Sequence, residues 1–145
     1  MHFPSTPVVA FAGMLLLGTA TTSQVSVSGN PNNYTTIQAA IDASFPGDVI
    51  TIDDSQATKP NPLVFTEHLL IQGFNAPLTI RTLTGVYEPN VIVDGQDLGS
   101  VIRFVPNGLP IGNDTRIEGL LLEDGSGTPV PFLGLVGGGV ACLDG

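Results

Sequence analysis

A chain of 145 residues with 42% hydrophobic content has enough apolar mass for one ordinary domain, which excludes a wholly disordered segment. Charged residues make up only 12%, while 18 Gly and 12 Pro punctuate the chain, a composition that suits many short strands joined by turns. Thirteen Asp and Glu against four Lys and Arg give a net charge of -9, which repels nucleic-acid phosphates and anionic headgroups, and the single cysteine excludes an internal disulfide framework or a cysteine-based zinc site.

The first twenty residues differ from the rest. Residues 7–20, PVVAFAGMLLLGTA, form an uncharged apolar run too short to span a bilayer comfortably, and they end in small residues. They predict a secretory signal over residues 1–20, with Gly18 and Ala20 as recognition positions and cleavage after Ala20. The leading MHFPSTP has no Lys or Arg, so a retained anchor is the competing reading. Either way the mature chain is expected to be secreted or on the cell surface, and removal of the signal leaves no expected membrane insertion.

Residues 21–33 are a polar lead-in with a short alternating run. Thr35 and Gln38 then have capping-box spacing, and Ile37, Ala40 and Ile41 share one helical face, which predicts a helix from about Thr36 to Ser44. Pro46 and Gly47 stop it. After Asp48 come short apolar runs that read as strands: VITI (49–52), HLLI (68–71), LTIR (78–81), NVIVDG (90–95), SVIRF (100–104), RIEGLLLEDG (116–125) and GGGVACLDG (137–145). Asp-Gly recurs at 94–95, 124–125 and 144–145, an irregular period that stacked β-coils would show. Asp-Gly also serves two-residue hairpins, but QDL and SGTPVP delay the next strand, which favours a solenoid over a sandwich.

The succession YTTIQAAID, PGDVITI, VFTEHLLI, APLTIR, NVIVDG, IEGLLLEDG and GGGV resembles the start of secreted right-handed parallel β-helix proteins of the pectin-lyase-like type. The resemblance implies an all-β right-handed parallel β-helix over residues 34–145, with the short helix capping its N-terminal end and the C-terminal end incomplete. Family members often follow the PGD strand with a Gly-x-Tyr-x-Glu turn. Here DDSQATKPNPL intervenes, and the counterpart is VFTEH, with Phe65 in place of Tyr and Glu67 as the acid.

The resemblance implies a polysaccharide-associated protein: a lyase or glycoside hydrolase whose catalytic coils lie beyond these residues, or a non-catalytic adhesion or structural repeat. No catalytic residue can be assigned. Arg81 and Arg103 are expected on outer faces about one coil apart, where they could contact an acidic polysaccharide or pair with local carboxylates. Asp94, Asp124 and Asp144 recur at turns, and a stacked row of carboxylates could hold calcium, although turn geometry alone explains Asp-Gly. Asp53 and Asp54 point to opposite faces of a strand and read as solvated loop acids. His68 and Glu67 likewise diverge, so no Ser-His-Asp or metal constellation can be assembled. Cys142 reads as a small core residue, and the sequons at Asn33 and Asn113 matter only in a eukaryotic secretory pathway.

Overall fold

The computed structural model describes residues 25–85, 90–109, 114–130, 134–136 and 138–142. The expected signal with its Ala20 cleavage site, Asn113 and Asp144 lie outside the described residues. The elements in chain order are β1 (Val25–Val27), β2 (Asn33–Tyr34), α1 (Ile37–Asp42), β3 (Val49–Ile52), β4 (Leu63–Thr66), β5 (Leu69–Gln72), β6 (Thr79–Thr82) and β7 (Val91–Asp94). They continue with β8 (Ile102–Val105), β9 (Arg116–Glu118), β10 (Leu120–Glu123), β11 (Thr128–Val130), β12 (Gly134–Val136) and β13 (Val140–Cys142).

These strands form because apolar residues alternate with polar or half-buried ones over runs of three or four. In β3, for instance, Ile50 and Ile52 are fully buried while Val49 and Thr51 stay half-exposed. Parallel pairing then sets like residues side by side. Ile50 lies beside Ile80 and Ile80 beside Ile117, across β3, β6 and β9. Leu63, Val91 and Leu120 line up across β4, β7 and β10, as do Phe65, Val93 and Leu122. Leu69 and Ile102 do the same in β5 and β8. The inward residues of these strands, with Ile37, Ala40 and Ile41 of α1, make one apolar core. Each fully buried Ile, Leu or Val contributes roughly 1.5–3 kcal/mol of transfer free energy, so the inward rows dominate stability.

The expected right-handed parallel β-helix is corrected by this topology. Among the described residues the strands form four separate small sheets, with orders β2-β1-β3-β6-β9, β10-β7-β4, β11-β12 and β13-β8-β5, and none of these is closed. The first is mixed, since β1 runs antiparallel to both β2 and β3, and β11 pairs antiparallel with β12. The physical reason is that two- to four-residue strands have side-chain periodicity but no directional label. The alternating VSV of β1 reverses onto β3, and Gly29, at φ 74, turns the chain back into β2. Asp94–Gly95 is nevertheless no hairpin turn, because β7 pairs with β4 and β10.

Two smaller corrections concern the ends of elements. The N-cap of α1 is Thr36, whose side chain accepts from the Ala39 N–H, and the helix stops at Asp42. The run RIEGLLLEDG is two strands, because Gly119 takes a left-handed φ of 75 and a Cβ there would strike the Thr82 side chain.

Candidate functional site

The helix α1 is held by the segment that carries β5. At its N-terminus Ile37 N–H donates to Glu67 Oε1 at 2.8 Å and Gln38 N–H donates to Glu67 Oε2 at 2.9 Å. One carboxylate thus satisfies two of the four backbone donors that a helix start leaves unpaired. From the same first turn, the Gln38 amide reaches Leu70 of β5: Leu70 N–H donates to Gln38 Oε1 at 2.7 Å, and Gln38 Nε2 donates to Leu70 O at 3.3 Å. This side chain pairs with the strand edge as a neighbouring strand would, and so blunts that edge. At the other end, buried Asn75 donates to Ile41 O at 3.1 Å and Ser44 O at 3.4 Å.

Two large aromatic rings adjoin that last contact. Phe45 follows Ser44 and Phe74 precedes Asn75, so they flank one hydrogen bond, and they are 75% and 51% exposed. Exposed phenyl rings of this kind offer flat apolar faces. Composition gave no signal for them; the Asn75 contact, with the Gly47 N–H donating to Pro77 O at 2.6 Å, brings the two segments together.

The arginines expected to stack do not. Arg81 sits in β6, between Thr51 of β3 and Glu118 of β9, so its ladder holds an acid. Arg103 sits in β8 of a different sheet, with Leu70 and Ala141 as its ladder neighbours. The Arg103 Nε is buried and makes no hydrogen bond. Arg103 therefore has no acidic neighbour in its ladder, and its guanidinium carries an unused donor.

The aspartates that recur at turns, where a row could hold calcium, are offset as well. Asp94 pairs in register with Glu123 rather than Asp124, and its Oδ1 accepts from the Gln96 N–H at 2.7 Å. Asp124 lies one position further on, with left-handed backbone (φ 50), and its carbonyl accepts from the Asp97 N–H at 2.6 Å. Among the described residues no group of three or more His, Cys, Asp or Glu is placed to hold a metal ion. Asp53 and Asp54 do diverge, but only Asp53 is a solvated loop acid. Its carboxyl is held below the ordinary aspartate range by hydrogen bonds from the side chain and then the backbone of Ser55. Asp54 is 3% exposed and accepts from both the backbone N–H, at 2.9 Å, and the hydroxyl of Thr84.

His68 lies at the corner between β4 and β5, its Nδ1 3.0 Å from the Ser100 carbonyl oxygen, which accepts a proton carried on that nitrogen. Cys142, expected in the core, is exposed and free, because it lies in β13 at the edge of its sheet, beside Phe104. No described helix is long and apolar enough to cross a membrane. Comparison with known proteins finds no match to any family model, curated protein or solved structure.

Proposed function

We propose that this is an exported, polysaccharide-associated protein that binds carboxylate-bearing glycans through Arg103, with Phe74 and Phe45 as stacking faces. The observation that carries the reading is Arg103 of β8, half-buried and with no acid beside it in its ladder. Arg103 is only partly buried, so a uronate carboxylate can meet the open part of its guanidinium in a charge-assisted hydrogen bond for which its ladder holds no competing acid, while the enclosed Nε stays out of reach. Phe74 lies two residues beyond β5, the strand that pairs with β8, and Phe45 lies across the Ser44–Asn75 hydrogen bond. Sugar rings pack their C–H faces on exposed aromatic rings of this kind. Export is supported by the apolar run at residues 7–20 and the small residues Gly18 and Ala20.

The global charge of -9 opposes a polyanion, so the contact is local and weak, and it weakens further as salt screens it. A second reading, a non-catalytic adhesion or structural role, is favoured by the apolar and acidic outer face of β4, β7 and β10 described below. The test is affinity electrophoresis of the full chain in gels containing polygalacturonate, alginate or neutral dextran. Retardation by the uronate polymers alone, lost in Arg103→Ala and kept in Arg81→Ala, is the expected result. Equal mobility in all gels, or retardation that survives Arg103→Ala, overturns the reading.

A further inference from the structure

The outer face of the three-stranded sheet β10-β7-β4 carries two rows of side chains whose alignment is fixed by the parallel register. In the first, Val64, Ile92 and Leu121 lie side by side, with Val64 49% and Leu121 38% exposed. In the second, two positions along each strand, Thr66, Asp94 and Glu123 lie side by side on the same face. Adjacent strands are about 4.8 Å apart and residues two apart about 6.6 Å, so an apolar stripe runs parallel to an acidic one at about one side-chain width. Beyond the acidic row, Asp97 and Asp124 are joined by their backbones and both exposed.

Parallel sheets are nearly always covered on both faces, because both carry apolar residues. Here the inner face has its cover in the core, whereas the outer face presents an apolar row to solvent. We infer that this outer face is a docking surface for a basic amphipathic polypeptide segment, whose apolar side chains lie over Val64, Ile92 and Leu121 and whose Lys or Arg side chains meet Asp94 and Glu123. Charge complementarity selects that occupant. The ladder neighbours of Asp94 are Thr66 and Glu123, so no cation within the ladder neutralises the acids, and the chain as a whole is strongly acidic. A second copy of this chain would bring acid against acid and is disfavoured. With only three short strands the contact is small, and it belongs with weak, salt-sensitive encounters.

The inference is independent of Arg103 and can fail without it. The test titrates the full chain with a fluorescent decapeptide of alternating Lys and Leu, with a Glu and Leu analogue as control. Asp94→Asn combined with Glu123→Gln keeps side-chain shape and an acceptor for the Gln96 N–H, and is expected to weaken the Lys–Leu peptide at least tenfold. Asp114→Asn combined with Glu118→Gln makes the same change in net charge at exposed acids elsewhere and is expected to change it less than twofold. Val64→Ser with Leu121→Ser should weaken binding while leaving its salt dependence unchanged. Circular dichroism melts establish that each variant is folded. Equal loss in the two acid double variants, or no binding at millimolar peptide, overturns the inference. So does a glucosamine oligomer that binds as tightly and is lost in the same variants, since the occupant would then be a cationic glycan.

Discussion

Single residues decide where strands end and how closely their corners approach. Gly95 and Gly125 follow Asp at two sheet corners, and neither has left-handed backbone; a Cβ would fit tightly at Gly95 and has no room at Gly125. A Cβ on Gly95 would come 3.0 Å from Asp124 O, one on Gly125 would strike Gly138 O, and one on Gly138 would come 2.6 Å from Gly125 O. Gly125→Ala is therefore expected to lower stability by about 2 kcal/mol through overpacking, read as a fall in the urea midpoint. Gly139→Ala is the matched control: its Cβ meets nothing within 4 Å, and it should stay within about 0.5 kcal/mol of the parent. The Asp-Gly recurrence was thus legible in the sequence, but its cause was not. Turn propensity accounts for Asp-Gly equally well, and only the approach of distant backbones separates the two explanations. Asp53 shows a purely local effect. Its Ser55 hydrogen bonds stabilise the ionised carboxyl, so its small contribution is present above the unfolded aspartate pKa and is lost as pH falls through the depressed folded value. Carboxyl NMR titration should place the Asp53 midpoint below that of the Ser55→Ala variant.

At the scale of elements, six-residue α1 is too short to persist by propensity and depends on its partners. Glu67 and Gln38 at its start and Asn75 at its end tie it to the segment that carries β5. Glu67→Ala leaves two first-turn N–H groups without their carboxylate and is expected to cost about 1–2 kcal/mol, with faster amide exchange at Ile37 and Gln38. Asn75→Ala removes the donor to the Ser44 carbonyl, while the Ile41 carbonyl keeps the Ser44 hydroxyl and N–H, and should cost about 1 kcal/mol while exposing Phe45 further to solvent quenchers. The sequence announced much of this layer. VITI coincides with β3, the apolar stripe of Ile37, Ala40 and Ile41 became the buried face of α1, and the remaining apolar runs contain strands at or near their expected places. What it hid was non-local. The role of Glu67 depends on a helix thirty residues upstream, the short β4 follows a Pro- and Asn-rich loop, and the lead-in strand β1 turned antiparallel. Periodicity reports which face of an element is apolar; it contains no information about the direction of its neighbour.

For the whole molecule, the register of the parallel ladders fixes every outward row on which function can rest. It places Arg103 between Leu70 and Ala141, apart from Arg81, and it sets Asp94 against Glu123. This is why the candidate site was only partly visible beforehand: the residue types were evident, but their neighbours are set by pairings between distant segments. An excess of acids over bases spread across these faces also makes any polyanion contact sensitive to ionic strength, and raising salt should abolish glycan retardation before it unfolds the chain. Both proposed contact faces therefore depend on the register itself. The most direct measurement is a set of cross-strand backbone NOEs in uniformly labelled protein. Parallel-type contacts are expected to link Val64 to Ile92 and Ile92 to Leu121, and Leu70 to Arg103 and Arg103 to Ala141. Antiparallel contacts between residues 90–95 and 100–104, or a shift of either ladder by one residue, would contradict that register, because each would move Arg103 or Asp94 away from the neighbours on which its proposed role depends.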